Sequence, residues 1–308
     1  MAEKPSGRHH PGTAEIVRRA WQQHTAIPGF NIPYLPMMEP VVRALRDCDS
    51  FGLIMVARLE LYKFEAKSLA AIRKEYERCG DPSFTRLHLD HVPVIDEDNL
   101  RVDYEGVLRE AIGLWFESLM LDGSRLSLVE NISATAAMAK LAHEAGIPIE
   151  AELGAIMGHE SGPAPSYEEL FTSGRGFTDP SEAQRFVRES GTDWLSVAIG
   201  NVHGAISKAR KDERKVEARL SIERLKEIAK VAQVPLVLHG GTGIRKEFVL
   251  EGIRQGIAKV NIATAIRQPY EKARAESVAK GQDAVYRATV ETLTKELELA
   301  GNRRAVLG

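Results

Sequence analysis

Three histidines at the ends of strand-like apolar runs in this 308-residue chain stand beside glycine or an acid. His91 closes the run Leu87-His88-Leu89-Asp90-His91. His203 lies in Gly200-Asn201-Val202-His203-Gly204, and His239 begins His239-Gly240-Gly241-Thr242-Gly243. Neutral imidazoles are good zinc ligands, and three protein ligands leave one coordination position open. An open zinc acts as a Lewis acid on a carbonyl. The only cysteines, Cys48 and Cys79, form no motif, so any transition metal must be held by His, Asp or Glu. Asp90 adjoins His91. Neighbours in a strand point to opposite faces, but a strand end can break that alternation, so the sequence leaves their relative orientation open. His88, deeper in the same run, reads as a hydrogen-bonded supporting group.

A second constellation suits an anion. Gly240-Gly241-Thr242-Gly243 and Asn261-Ile262-Ala263-Thr264 offer backbone N–H groups and hydroxyls, and glycine lets a backbone approach a ligand closely. A tight turn is the other reading of the glycine run. Acids end two further apolar runs: Asp122 before Gly123-Ser124, and Glu150 and Glu152 before Leu153-Gly154.

These residues need elements that bring them together. Eight apolar runs read as strands: Ile27 to Ile32, Phe51 to Ala57, Phe84 to Asp90, Glu117 to Asp122, Ile147 to Leu153, Thr192 to Gly200, Val234 to His239 and Ile257 to Ala263. Continuous apolar runs suit strands buried on both faces. Helical patterns lie between them at Met37 to Arg46, Lys67 to Glu77, Asn131 to Ala145, Pro180 to Ser190 and Ile222 to Ala232. The alternation predicts an α/β (β/α)₈ TIM barrel, where polar residues at many strand ends converge on one mouth. Two segments, 158–176 and 204–219, read as active-site loops after strand ends. The first holds four glycines and two prolines, and the second is dense in Lys and Arg. One barrel domain over 1–308 is expected, with 1–12, including His9 and His10, as a flexible tail.

Composition narrows the class. A formal net charge of -2 gives no electrostatic reason for a nucleic-acid or anionic membrane partner. Two cysteines argue for a reducing compartment. No run has signal-peptide or membrane-span length. A cytoplasmic enzyme is expected.

The order of motifs resembles the class II fructose-bisphosphate aldolases, which include tagatose-bisphosphate aldolases. The matching stretches are GFN at 29–31, LHLDH at 87–91, DGS with ENI at 122–132, EAELG at 150–154, AIGNVHG at 198–204, PLVLHGGTG at 235–243 and KVNIAT at 259–264. The resemblance implies a zinc-dependent aldolase that reversibly cleaves a phosphorylated ketose to dihydroxyacetone phosphate and an aldehyde. His91, His203 and His239 match the zinc ligands. Asp90 matches the acid that exchanges a proton with the hydroxyl at the aldol bond, and Glu160 the loop glutamate that moves the proton at the enolising carbon. Gly204, Gly240, Gly241, Thr242, Asn261 and Thr264 match the phosphate end, and Asn31 a substrate-side asparagine. Asp122 and Glu152 match acids at a second or alternative metal position. A monovalent cation near the phosphate loops and a homodimer or homotetramer are family features.

Departures cluster around the substrate. Tyr34 follows the GFN run in place of a small polar group. The second strand ends in Ala57-Arg58-Leu59-Glu60 in place of a serine-containing segment. Ile206 lies where a tyrosine is usual, His159 precedes Glu160, and Ala263 stands where some members carry Asp. Arg58 has two readings: a cationic contact to a phosphate or carboxylate, or an ion pair with Glu60 or a similar acid at the barrel rim. Two rival functions remain. A metal-dependent hydrolase would want a His-x-His pair on the first strand, and IPGFNI has none. A non-catalytic sugar-phosphate binder would be expected to lose Asp90, Glu160 or a zinc ligand, and all are present.

Overall fold

A computed structural model describes residues 11–154, 167–201 and 218–308. Its eight strands are β1 (Ile27–Asn31), β2 (Gly52–Ala57), β3 (Thr85–Pro93), β4 (Ser118–Asp122), β5 (Ile149–Leu153), β6 (Trp194–Val197), β7 (Leu236–Leu238) and β8 (Ile257–Ile262). Each pairs in parallel with its sequence neighbours, and β8 closes on β1 through Ile27↔Lys259 to Phe30↔Ile262. All eight expected strands are present in one closed (β/α)₈ barrel.

The helices follow the apolar periodicity, with ends set by local caps. The helix over Leu69–Cys79 (here α4) starts two residues later than its pattern, because Lys67 takes a positive φ and Ser68 caps Ala71 N. The helix over Leu128–Glu144 (α6) starts three residues earlier than expected. Ser127 and Glu130 form a capping box there, each side chain bonding the other's backbone. A short helix, α3 (Arg58–Lys63), follows β2 directly. Part of the expected 158–176 loop is helical, over Tyr167–Ser173.

Two apolar layers hold the barrel. The larger lies between strands and outer helices and includes Phe30, Ile54, Leu89, Leu121, Phe186 and Leu238, all fully buried. The smaller closes the floor: Ile16, Val17 and Ala20 of α1 (Thr13–Gln22) and Val306 of the C-terminal helix (Arg303–Leu307) cover Phe51, Leu53, Met55, Trp194 and Val237. Burying such a side chain contributes about 1.5–3 kcal/mol. Asn302 fastens the floor, accepting from Phe51 N (2.8 Å) and donating to Ala26 O (2.9 Å). Asn302→Ala leaves both groups unpartnered and is expected to cost about 1–3 kcal/mol in urea unfolding. A loss within a few tenths of a kcal/mol would mean that water replaces both bonds. No helix among the described residues is long and apolar enough to cross a membrane.

Candidate active site

The site forms where the strands end. The β3–β4 register shifts between Leu89 and Val92, and His91 takes φ 35°, a left-handed conformation uncommon for non-glycine residues. The bulge breaks the strand alternation, so Asp90 and His91 both turn into the barrel. That answers the orientation left open by sequence. Ligand atoms of Asp90, His91 and His239 lie within 4.8 Å of one another, as do those of His91, Asp122 and Glu152. The His91 and His239 rings meet edge to face with centroids 4.5 Å apart.

Asp90 is held from both sides. Asn31 Nδ2 donates to its Oδ2 and Asn261 Nδ2 to its Oδ1, each at 3.0 Å. Burial alone would raise the Asp90 carboxyl, but facing His91, His88 and Lys259 hold it well below the usual carboxylate range. Asn31 and Asn261, expected at the substrate and phosphate, therefore spend their amide nitrogens on Asp90.

His91 Nδ1 faces Asp122 Oδ2 at 3.5 Å and Glu152 Oε2 at 3.9 Å. Burial disfavours its charged form, yet Asp90, Asp122 and Glu152 bring the imidazole up to about 10. Glu152 is pushed up by burial and by neighbouring Asp122. His239 Nε2 donates to Glu150 Oε1 at 2.8 Å, which turns Nδ1 toward Glu152 Oε2, 3.3 Å away.

These donors fit a divalent cation. They are imidazole nitrogens and carboxylate oxygens, the set that zinc accepts. Glu152 Oε2 is buried with no hydrogen-bond partner among the described residues, an arrangement that a cation would complete. Glu150 then acts as the outer partner that fixes the His239 tautomer.

Beneath the cluster lies a buried polar chain with no assigned role in the sequence reading. Lys259 Nζ bonds Glu150 Oε2 at 2.7 Å, both fully buried, and Trp194 Nε1 donates to the same oxygen at 2.6 Å. Glu150 and Lys259 stood in the motifs, but only their register shows that they meet. His88 is buried, as its deep position suggested; Nδ1 hydrogen-bonds Ser118 Oγ at 2.8 Å, and Nε2 lies 3.7 Å from Asp90. Asn201 ties the end of β6 to β7 by donating to His239 O at 3.1 Å.

The proposed phosphate loops are near the mouth. Gly240 and Gly243 take positive φ, and a Cβ on Gly241 would lie 2.8 Å from Val260 Cγ1. The glycines are therefore needed for a tight turn packed on β8. Thr264 opens the helix over Thr264–Ala273 (α11). Thr242 adjoins that turn. His203, Gly204, Glu160, His159 and Ile206 lie outside the described residues, as do residues 158–166 and 204–217 of the two expected active-site loops.

Arg58 forms an ion pair of the expected kind at the rim, but with Asp96, at 3.7 Å, and not with Glu60; it also stacks on Tyr62 at 4.8 Å. Glu60 turns inward because Ala57 N, at the start of α3, donates to its Oε2 at 2.8 Å. Tyr34 packs against Phe64 and Tyr270 and donates to Glu271 Oε1 at 2.8 Å, so it braces the rim.

Comparison with known proteins agrees with the geometry. The family model for class-II fructose-bisphosphate aldolase matches residues 12–302. The YdjI aldolase from Escherichia coli K12 superposes with TM-score 0.72 at 26% identity, covering 95% of this chain and 99% of that one. A Coccidioides immitis structure, provisionally described as a fructose-1,6-bisphosphate aldolase, gives 0.74 at 25% identity, covering 95% and 98%. The Campylobacter jejuni fructose-bisphosphate aldolase shares the fold, with TM-score 0.72 at 18% identity over 95% and 97%.

Proposed function

Because the chain belongs to the class II fructose-bisphosphate aldolase family, we propose that it reversibly cleaves a phosphorylated ketose to dihydroxyacetone phosphate and an aldehyde, using zinc held by His91, His203 and His239. The convergence of Asp90, His91 and His239 within 4.8 Å carries this reading. Zinc, when bound, supplies a Lewis acid that stabilises the charge developing as the carbon–carbon bond breaks.

The protein's own groups handle protons and position. Asp90 takes the hydroxyl proton as the aldol bond breaks and returns it in the condensation direction. Two amide donors keep both its oxygens in the acceptor role that this step needs. Glu160 moves the proton at the enolising carbon. Gly204, Gly240, Gly241, Thr242, Asn261 and Thr264 receive the phosphate end, with a monovalent cation beside them, and Asn31 borders the substrate. Asp122 and Glu152 form a second or alternative metal position. A single domain, a cytoplasmic location and a homodimer or homotetramer complete the proposal.

The test is a panel of ketose mono- and bisphosphates assayed for dihydroxyacetone phosphate. Turnover of at least one member is expected, with loss on chelation and recovery on adding zinc. Metal analysis should find close to one zinc per chain. Full activity in verified metal-free protein would remove the metal from the mechanism. Failure to release dihydroxyacetone phosphate from every member would favour a sugar-phosphate binder or a lyase of another substrate class.

A further inference from the structure

We infer that Tyr167 is a positioning residue for the phosphate end of the substrate, its phenol setting the spacing of the two anchors that hold the run His239 to Gly243. The inference rests on the aldolase reading above and deepens it. Tyr167 opens the helix over Tyr167–Ser173, and its hydroxyl meets three backbone groups. Arg219 N donates to it at 2.8 Å, while Arg219 O and Gly200 O lie 3.0 Å and 3.1 Å away as acceptors for its single proton. One phenol thus joins points 33 and 52 positions along the chain. The join is close-packed. Gly200 takes φ 108°, and a Cβ there would lie 2.6 Å from both Arg219 O and Phe171 Cε2.

The neighbours of the two joined residues are the anchors. Asn201, next to Gly200, is buried; it accepts from Ile199 N at 2.9 Å and donates to His239 O at 3.1 Å. Ala218, next to Arg219, donates its N–H to Gly243 O at 3.1 Å and accepts from Arg245 N at 3.2 Å. The glycine turn is therefore held at both ends, and the Tyr167 hydroxyl fixes one anchor relative to the other. Backbone N–H groups in such a turn converge on an anion only while both ends keep their places. His239 begins the same run, but Glu150 holds its imidazole separately. Loss of the phenol oxygen therefore weakens binding at the phosphate end and leaves the metal and the proton carriers in place.

The holoenzyme is assayed by exchange of the hydrogen at the enolising carbon of dihydroxyacetone phosphate with deuterated water, a half-reaction that needs no aldehyde. Tyr167→Phe keeps the ring beside Phe171, centroids 5.8 Å apart, and removes the oxygen alone. It should raise KM for dihydroxyacetone phosphate roughly three- to tenfold, the scale of one hydrogen bond, with kcat within about twofold, as for lost uniform binding. Bound zinc should stay at the wild-type level. Glu168→Gln removes the exposed ion pair between the same helix and Arg219, at 2.7 Å, but keeps the phenol, and both constants should stay within about twofold of wild type. A KM unchanged in Tyr167→Phe, a fall in kcat alone, a loss of zinc, or an equal rise in KM in Glu168→Gln would each overturn the assignment while the aldolase reading stands. A wild type that exchanges no hydrogen overturns the aldolase reading itself, and the Tyr167 assignment falls with it.

Discussion

Asp90→Ala and Asp90→Asn should each lower kcat by roughly a hundred- to ten-thousand-fold, the usual range for losing a positioned acid–base group, while bound metal stays at the wild-type level. The two substitutions fail for different reasons. Alanine removes the acceptor and leaves the amides of Asn31 and Asn261 with nothing to donate to. Asparagine keeps the shape, but its own NH₂ must then face one of those donors, and it cannot take a proton. Neither change removes a histidine ligand, so metal analysis separates a loss of chemistry from a loss of the metal centre. Turnover within a few-fold of wild type in both variants would exclude Asp90 from the proton transfer.

Lys259→Met should destabilise the protein by about 3–5 kcal/mol, because removing one member of a buried ion pair strands the other charge. Lys259 lies 2.7 Å from Glu150 and 3.9 Å from Asp90, and all three are at most 1% exposed. Without the ammonium, two carboxylates share one interior. Glu150→Gln alone should also be costly, since it leaves Lys259 buried beside Asp90 only. The double variant Glu150→Gln/Lys259→Met should recover much of the loss, since removing both charges restores balance. Urea unfolding of the set gives the coupling energy directly. A function-linked effect accompanies it. Glu150 holds His239 by its Nε2–H, so Glu150→Gln should weaken metal affinity roughly 10–100-fold. A Lys259→Met variant as stable as wild type would show that Glu150 is protonated in the folded protein.

The barrel was legible because parallel strands buried on both faces write themselves as continuous apolar runs. All eight of those runs pair in order. The family motifs pointed to Asp90, His91 and His239 before any geometry, since residues at strand ends must share the mouth. Three things could not be read. The bulge at Asp90–His91 depends on how β3 meets β4, a pairing that the local pattern does not encode. The Glu150–Lys259 contact joins residues 109 positions apart, and each sits within an ordinary apolar strand pattern. Glu60 and Arg58, two residues apart, suggested a mutual ion pair. The helix starting at Arg58 instead recruits Glu60 to its own first turn and sends Arg58 toward Asp96. Local capping decided that outcome over charge pairing, because an exposed ion pair is worth little while a buried N–H must be satisfied.

The floor of the barrel carries a consequence for how the chain acquires its structure. Arg19 donates to Leu307 O at 2.7 Å, and Ser50 and Asn302 bind across the same join to Leu299 O and Ala26 O. Residues as many as 288 positions apart therefore meet in one apolar plug. Such contacts have a very large sequence separation, and their loop-closure entropy must be overcome before any reward is collected. During synthesis, β1 and β2 emerge early but lack Asn302, 251 positions after Phe51, and Val306 until those residues have left the ribosome. The underside of Phe51 and Leu53 stays wet through that interval. The slowest native contact to form should thus be the one furthest from the catalytic mouth, and the window in which this protein is prone to aggregate is set by its floor.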